Sequence, residues 1–422
     1  MKGLLVLLLL SLLAGCGGGD GGPGQPPSAT APAAPPTWPP PAAPLPAPAL
    51  TPLVAWEGIA DWETFQSNPG HTGYVPVRLD PARFSLRWHW DAPDTGLSSD
   101  RISAVVTGSN QVYAAVGTRL YARSEFDGNA AWHRDFGDPA APLTSPPASS
   151  AGSVYVVAGR GSATRLYAMA AGNGALRFIA PMETQSETYL APTVSEDKVL
   201  APGGRFGGLY AFYATSGLQA WFVPGTQADQ WTPAAAGGQV YVYTDSLSVL
   251  AAYDGTPQGK PIPGTAFPYT GAPVGSAPVL GALGMVFALN GAARENALLA
   301  FDTIGKRLAW SVPGQYAGNP AYAGGRVYAL ARAPLRLEVR AEVDATLLWQ
   351  WSPPLEDGVD AFGDVLITDN LVFFSTTSAV FAIDLASRRA VWRLNQPGRL
   401  ALSANGILYI AYGRGLTAFN VR

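Results

Sequence analysis

The sequence predicts an all-β fold, an eight-bladed β-propeller of four-stranded antiparallel blades whose last blade is closed by an N-terminal strand. Three observations predict it. A pair of strand-forming residues recurs eight times from residue 112 onward, at Val112-Tyr113, Val154-Tyr155, Val199-Leu200, Val240-Tyr241, Val286-Phe287, Val327-Tyr328, Val372-Phe373 and Leu408-Tyr409, with spacings of 42, 45, 41, 46, 41, 45 and 36 residues. A period of about 40 residues built from strand signals is the signature of a radially repeated sheet. The last repeat is incomplete, and the segment that would complete it stands near the N-terminus.

Within each unit the elements follow in a fixed order. A proline lies seven or eight residues before several of the pairs, at Pro147, Pro192, Pro233, Pro278 and Pro320, and a small or polar turn such as AGG or SED separates the two. A second strand motif follows each pair. It reads LYA at 120–122, 166–168 and 209–211, and more weakly VLA at 249–251, LLA at 298–300, LEV at 337–339, VFA at 380–382 and LTA at 416–418. The motif middles lie an even number of residues apart, so a hairpin keeps both on one face, because strand side chains alternate. Turn formers come next, as in FDGN at 126–129 and ATSG at 214–217. A large residue closes the unit: Trp132, Phe178, Trp221, Ile262, Trp310, Trp349 and Trp392. Counted from Thr417, the eighth unit runs past Arg422 before reaching its own. The strand RFSLRWHWDA at 83–92 has the right character and no unit before it, so Trp88 or Trp90 is expected to complete the eighth blade and hide its edge.

Ahead of the repeat, Lys2 and the apolar run Leu4–Leu13 form an export signal too short to span a bilayer, which takes about 20 residues. Residues 1–15 are read as a lipoprotein signal peptide. Leu13-Ala14-Gly15-Cys16 resembles the bacterial lipobox, which implies acylation of Cys16 and a membrane-lipid partner. Gly17, where Asp would favour retention in the inner membrane, implies the outer membrane, facing the periplasm. Residues 16–55 hold thirteen prolines between Pro23 and Pro52 and one charge, Asp20, the composition of an extended tether. Its reach is on the order of 100 Å. Residues 56–83 form a lead-in and 84–422 the propeller.

The repeat resembles the PQQ-like propeller repeat, and that resemblance implies that the closing tryptophans Trp132, Trp221, Trp310, Trp349 and Trp392 dock between neighbouring blades. Lipobox, tether and eight such repeats together resemble the BamB-like lipoproteins of the outer-membrane protein assembly machinery, although the proline-rich tether and the lead-in depart from them. DWETFQSNPGHTGYVPVRLD at 61–80 looks like the segment that precedes the propeller in quinoprotein dehydrogenases, and is read as structural.

Composition and motifs narrow the chemistry. Of the 422 residues only 14% are charged and the net charge is −3, which excludes the basic surface that nucleic acid demands. Cys16 is the single cysteine, so the chain alone builds no disulfide, CxxC zinc site or haem attachment. The vicinal Cys-Cys pair that the dehydrogenase resemblance implies beside a quinone is therefore absent, and no Glu/Asn/Asp set at metal-binding spacing stands out. His71, His89 and His133 lie in separate segments and read as surface or edge histidines. GRGSAT at 159–164 reads as a hairpin turn with no helix behind it, and Glu356-Asp357 as a solvated turn. Trp38, Trp56, Trp62, Trp231, Trp351 and the spare member of Trp88/Trp90 are candidates for an exposed aromatic platform. No catalytic residue, cofactor or metal ligand is expected. The reading is a monomeric, non-catalytic interaction scaffold with an envelope protein as partner. The alternatives are a carbohydrate- or peptide-binding module and a quinone-dependent enzyme.

Overall fold

A computed structural model describes residues 50, 52–94, 101–137, 144–184, 190–228, 230–265, 277–291 and 296–422, all within the unit Pro39–Arg422. The predicted signal peptide, Cys16 and most of the tether lie outside the described residues. Eight four-stranded antiparallel sheets follow one another along the chain. In blade order they occupy residues 106–135, 148–181, 193–224, 234–263, 279–312, 316–351, 366–394 and, for the eighth, 399–420 together with Ser85–Asp91. The Ser85–Asp91 strand runs antiparallel to Gly415–Asn420 and sets His89 opposite Thr417.

The first strand of each blade is innermost, and neighbouring first strands contact one another from blade one to four and from blade five to seven. Each has one edge with no partner in its own sheet. Proline tolerates that position because the N–H it lacks would have faced the axis. Pro147, Pro192, Pro233 and Pro278 each stand immediately before an innermost strand, and Pro320 lies within one.

The lead-in uses the free edges. Trp56 N–H donates to Ala404 O of the eighth blade. Thr107 of the first blade and Ser149 of the second then donate their N–H groups to Trp62 O and Glu63 O. Thr64 Oγ1 donates to Pro192 O, before the third blade. Ala235, Leu280, Tyr322 and Ile367, on blades four to seven, donate to Pro69, Gly70, Thr72 and Gly73. One stretch of chain thus visits the blades in their ring order and satisfies one buried backbone group on most of them. These contacts lie at the ends of the inner strands that carry the first-to-second strand turns, so the lead-in closes that end of the channel.

Seven of the eight junctions between blades obey one geometry. Trp88, Trp132, Phe178, Trp221, Trp310, Trp349 and Trp392 each pair with the last residue of an LYA-type motif, or with its counterpart, and a register shift lies beside each. A β-bulge re-aims the side chain it adjoins, here toward the next blade. Trp88, Trp132, Trp221 and Trp310 donate Nε1–H to the carbonyls of Glu125, Ala171, Ala252 and Glu342, each the first residue beyond the third strand of the following blade. The ring then covers a turn glycine. At Gly128 (φ +71°) a Cβ would lie 2.7 Å from Trp88, and at Gly217 (φ +71°) 2.2 Å from Phe178, so neither turn admits a side chain.

Candidate functional site

The end of the channel opposite the lead-in widens into an axial funnel of about 520 Å³. Phe65 forms its floor, with Leu190, Ala191 and Ala277 packed around it. The walls come from connections between blades and from the second-to-third strand turn of the eighth blade. Arg101 and Arg399 are exposed there. Arg399 lies over the Phe362 ring at 5.3 Å, and Phe362 meets Tyr412 edge-on at 5.3 Å. Asp364 accepts from the Asn319 backbone N–H (2.7 Å) and side-chain amide (3.3 Å), and Asn319 Oδ1 in turn accepts from Ala277 N–H. Burial pushes the Asp364 carboxyl above its usual range, with the Asn319 bonds and Arg399 acting against that. Thr144 Oγ1, in the funnel wall, is buried with no hydrogen-bond partner among the described residues. The chemistry on offer is two guanidinium groups, an aromatic pair, a carboxyl group held by amides and an available hydroxyl, an arrangement suited to recognition.

Below the floor the channel is packed. His71 is fully buried, and the expectation of a surface or edge histidine is corrected for it. Its Nδ1 lies 3.0 Å from Pro278 O and its Nε2 3.2 Å from Thr193 Oγ1, with the Phe65 ring edge-on at 5.4 Å. Burial lowers its pKa to about 4, so it is neutral at neutral pH. His89, by contrast, sits beside Asp91 at 3.3 Å on the outer strand of the eighth blade, and His133 stacks on Tyr121.

Three further expectations change. Asp357 is not part of a solvated turn; it is buried and paired with Arg393, while Glu356 is exposed. The spare tryptophans form no common platform among the described residues. Trp62 is buried in the lead-in and Trp231 between blades, the half-buried Trp351 packs against Phe374 and Phe381, and Trp90 covers Tyr121. In the fourth blade the pairing places Leu247-Ser248-Val249, not 249–251, in the LYA register, since Val249 lies opposite Tyr241. Ile262 then pairs with Leu247, beyond the tryptophan position. The residues TPQGKPIP explain the shift: Pro257 and Pro261 lack donors, so the fourth strand shrinks to Ile262–Pro263.

Trp132 and Trp310 are half-buried and Trp221 is buried, each bonded as described above. Trp349 is half-buried opposite Val339. Trp392 is buried between Phe84 and Phe419, meeting both edge-on.

These features define an eight-bladed propeller closed at one end by the lead-in, with a funnel among the described residues at the other. No family model matches the chain and no curated protein matches it in sequence. Among solved structures it is similar to BamB from Moraxella catarrhalis, with a TM-score of 0.59 and 13% identity over 80% of this chain and 97% of that one. It is also similar to a europium-containing methanol dehydrogenase, with a TM-score of 0.62 and 12% identity over 86% of this chain and 98% of that one. The quinohemoprotein alcohol dehydrogenase from Comamonas testosteroni superposes with a TM-score of 0.65 and 14% identity over 86% of this chain and 80% of that one. At these identities the likeness establishes the PQQ-like propeller fold.

A quinohemoprotein carries a quinone, and the resemblance to such dehydrogenases implies a vicinal disulfide and a metal ion beside it. The chain's one cysteine excludes a vicinal disulfide. Among the described residues no three His, Cys, Asp or Glu side chains converge in a metal-binding group, and Asp364 is the only carboxylate lining the funnel. The residues described do not fit the group.

Proposed function

We propose that this protein is a non-catalytic interaction scaffold of the bacterial cell envelope, anchored to the outer membrane by lipid on Cys16 and facing the periplasm, with a protein partner docking on the open face. BamB-like work in outer-membrane protein assembly is the form we favour, carried out by a monomer. The observation that carries the reading is the pairing of a lipobox-like Leu13-Ala14-Gly15-Cys16 with a ring whose funnel holds recognition groups and, among the described residues, no assembled donor set. The absence of a membrane-crossing helix among the described residues is compatible with anchoring by lipid.

Two experiments test it. Metabolic labelling with a palmitate analogue should mark the parent and spare a Cys16→Ser variant; equal labelling removes the anchor from the proposal. A photo-crosslinker in place of Tyr412 should capture an outer-membrane protein in intact cells. A dominant glycan adduct would instead support a carbohydrate-binding module. The likeness to two dehydrogenases favours one second reading, quinone-dependent oxidation. Incubation with PQQ and Ca²⁺ should leave no stoichiometric quinone spectrum on the purified protein, and finding one would reverse the ranking.

A further inference from the structure

The third strand of every blade carries one residue at a common register position, opposite the residue that follows the Val-Tyr-type pair: Tyr121, Tyr167, Tyr210, Ser248, Leu299, Glu338, Phe381 and Thr417. At five junctions the chain of the preceding blade, or the connection just after it, meets this residue. Trp90 lies 5.3 Å from Tyr121, Phe136 4.7 Å from Tyr167, and Trp351 5.2 Å from Phe381. The Glu183 N–H reaches Tyr210 OH at 3.4 Å, and the Gln396 amide reaches Thr417 Oγ1 at 3.0 Å.

The junction between the third and fourth blades differs. The position holds Ser248, and the residue in the place of Phe136, four beyond the docking ring, is Gly225. Between them opens a cleft of about 360 Å³, within the range of small-molecule sites. Leu209 and Val223 of the third blade, Val242 of the fourth and the buried Trp231 give it apolar walls. Among the described residues Asp245 is the only ionisable one lining it, and it is exposed. Thr244 Oγ1 and Ser246 Oγ both donate to its Oδ1, leaving Oδ2 without a partner among the described residues. Packed interiors rarely leave a space of this size, and here two small residues coincide at one junction to create it.

We propose that this cleft binds a small organic cation, its apolar body between the third and fourth blades and its ammonium group on Asp245. The charge follows from a carboxylate that stands alone, with no base, among the described lining residues. The apolar body follows from walls of Leu, Val and Trp. The site is separate from the funnel and independent of the scaffold reading.

The test uses the purified full-length protein and three probes of one shape: 2-phenylethylammonium, 2-phenylethanol and 3-phenylpropionate, with binding followed by calorimetry and ligand-observed NMR. The ammonium should bind saturably and at least about tenfold tighter than the alcohol, with no binding of the carboxylate, because a charge-assisted hydrogen bond to Asp245 distinguishes the probes. Asp245→Asn should bring the ammonium to the alcohol's affinity. Ser248→Tyr and Gly225→Phe, which supply the side chains that fill the junction between the first and second blades, should each abolish binding while leaving the far-UV circular dichroism unchanged. Gly225 accepts a Cβ at 3.5 Å from its nearest neighbour, so the backbone tolerates the change. Failure of the ammonium to bind, equal binding of all three probes, or unchanged binding in folded Ser248→Tyr or Gly225→Phe protein would overturn the proposal.

Discussion

Two junctions of the ring stand at opposite extremes. At the seam, where the eighth blade meets the first, the blade itself is assembled from strands more than 300 residues apart in the chain, and side chains brace it heavily. Trp88 and Arg87 both reach backbone carbonyls of the Glu125-Phe126 turn, and Arg87 Nη1 also donates to Asn420 Oδ1. Tyr409 OH donates to Glu125 Oε1 at 3.1 Å, and the Asn405 amide donates to Glu125 Oε2. Between the third and fourth blades the backbone runs directly from one sheet to the next, and a cleft is left open. Where chain connectivity does not hold a blade together, contacts do so; where it does, the junction can give up packing and gain a surface for binding. An open edge strand is also a liability that has to be covered, and a cleft between covalently joined blades is not.

The largest effect is expected from the seam ring. Trp88→Ala removes a buried aromatic and its hydrogen bond and should cost about 3–5 kcal/mol, read as a drop in the urea midpoint. Gly225→Ala, at the open junction, should change the midpoint by less than about 0.5 kcal/mol, as is usual where no special feature is touched. Equal losses for the two variants would remove the contrast between the junctions.

The next effect is electrostatic and has a sign. Burial raises the Glu125 carboxyl from 4.5 to about 7, against the bonds from Asn405 and Tyr409. Its folded pKa exceeds its unfolded value, so its contribution to stability is full below about 4.5 and is lost as pH rises through about 7. With a shift of this size the contribution reaches about 3 kcal/mol. His71 acts in the opposite sense: burial lowers it from 6.5 to about 4, so its contribution is present above 6.5 and lost as pH falls through 4. Between about 4.5 and 6.5 the two slopes oppose one another. Glu125→Gln should leave stability rising with pH across that window. His71→Asn, which keeps a residue suited to the positive φ of 56° at that position, should leave it falling. Denaturant titrations at pH 5, 6 and 7 distinguish the two, and parallel profiles for both variants would show that neither group titrates as its burial implies.

Much of this architecture was legible in the sequence, and the limits have physical causes. Period and motif order located the eight blades because each blade needs the same pair of apolar strands and the same turn. Trp88 could not be chosen over Trp90 from the sequence, since both stand in one strand two residues apart on one face; the bulge between Leu86 and Trp88 and the carbonyl of Glu125 make the choice. The fourth blade was misregistered by two residues because Val249-Leu250-Ala251 imitates the LYA pattern, and only pairing with the neighbouring strand decides which triplet faces the junction. His71 and Asp357 were placed at the surface because nothing local marks a residue that burial stabilises through partners more than 30 positions away in the chain, Thr193 and Pro278 for one and Arg393 for the other. The funnel was invisible for the same reason, its lining being gathered from many separate connections.

The smallest effect is also the one that sharpens the contrast most. Ser248→Tyr places a phenol where Tyr121, Tyr167 and Tyr210 already stand in the first three blades. If the open junction is tolerated only because the backbone spans it, filling it should add burial without strain, and the gain should be about 1 kcal/mol, typical of a cavity filled at a compatible site. Thr226 and Asp245, which both line the cleft, are the polar groups on offer to the phenol hydroxyl. The same substitution should suppress binding of 2-phenylethylammonium, so stability and affinity move in opposite directions in a single variant. A rise in the urea midpoint with binding lost is the result expected of a junction whose packing has been given up to form a site. A fall in the midpoint would mean that the wall between the third and fourth blades is rigid and already shaped around smaller side chains, and the difference between the two junctions would then be one of shape alone.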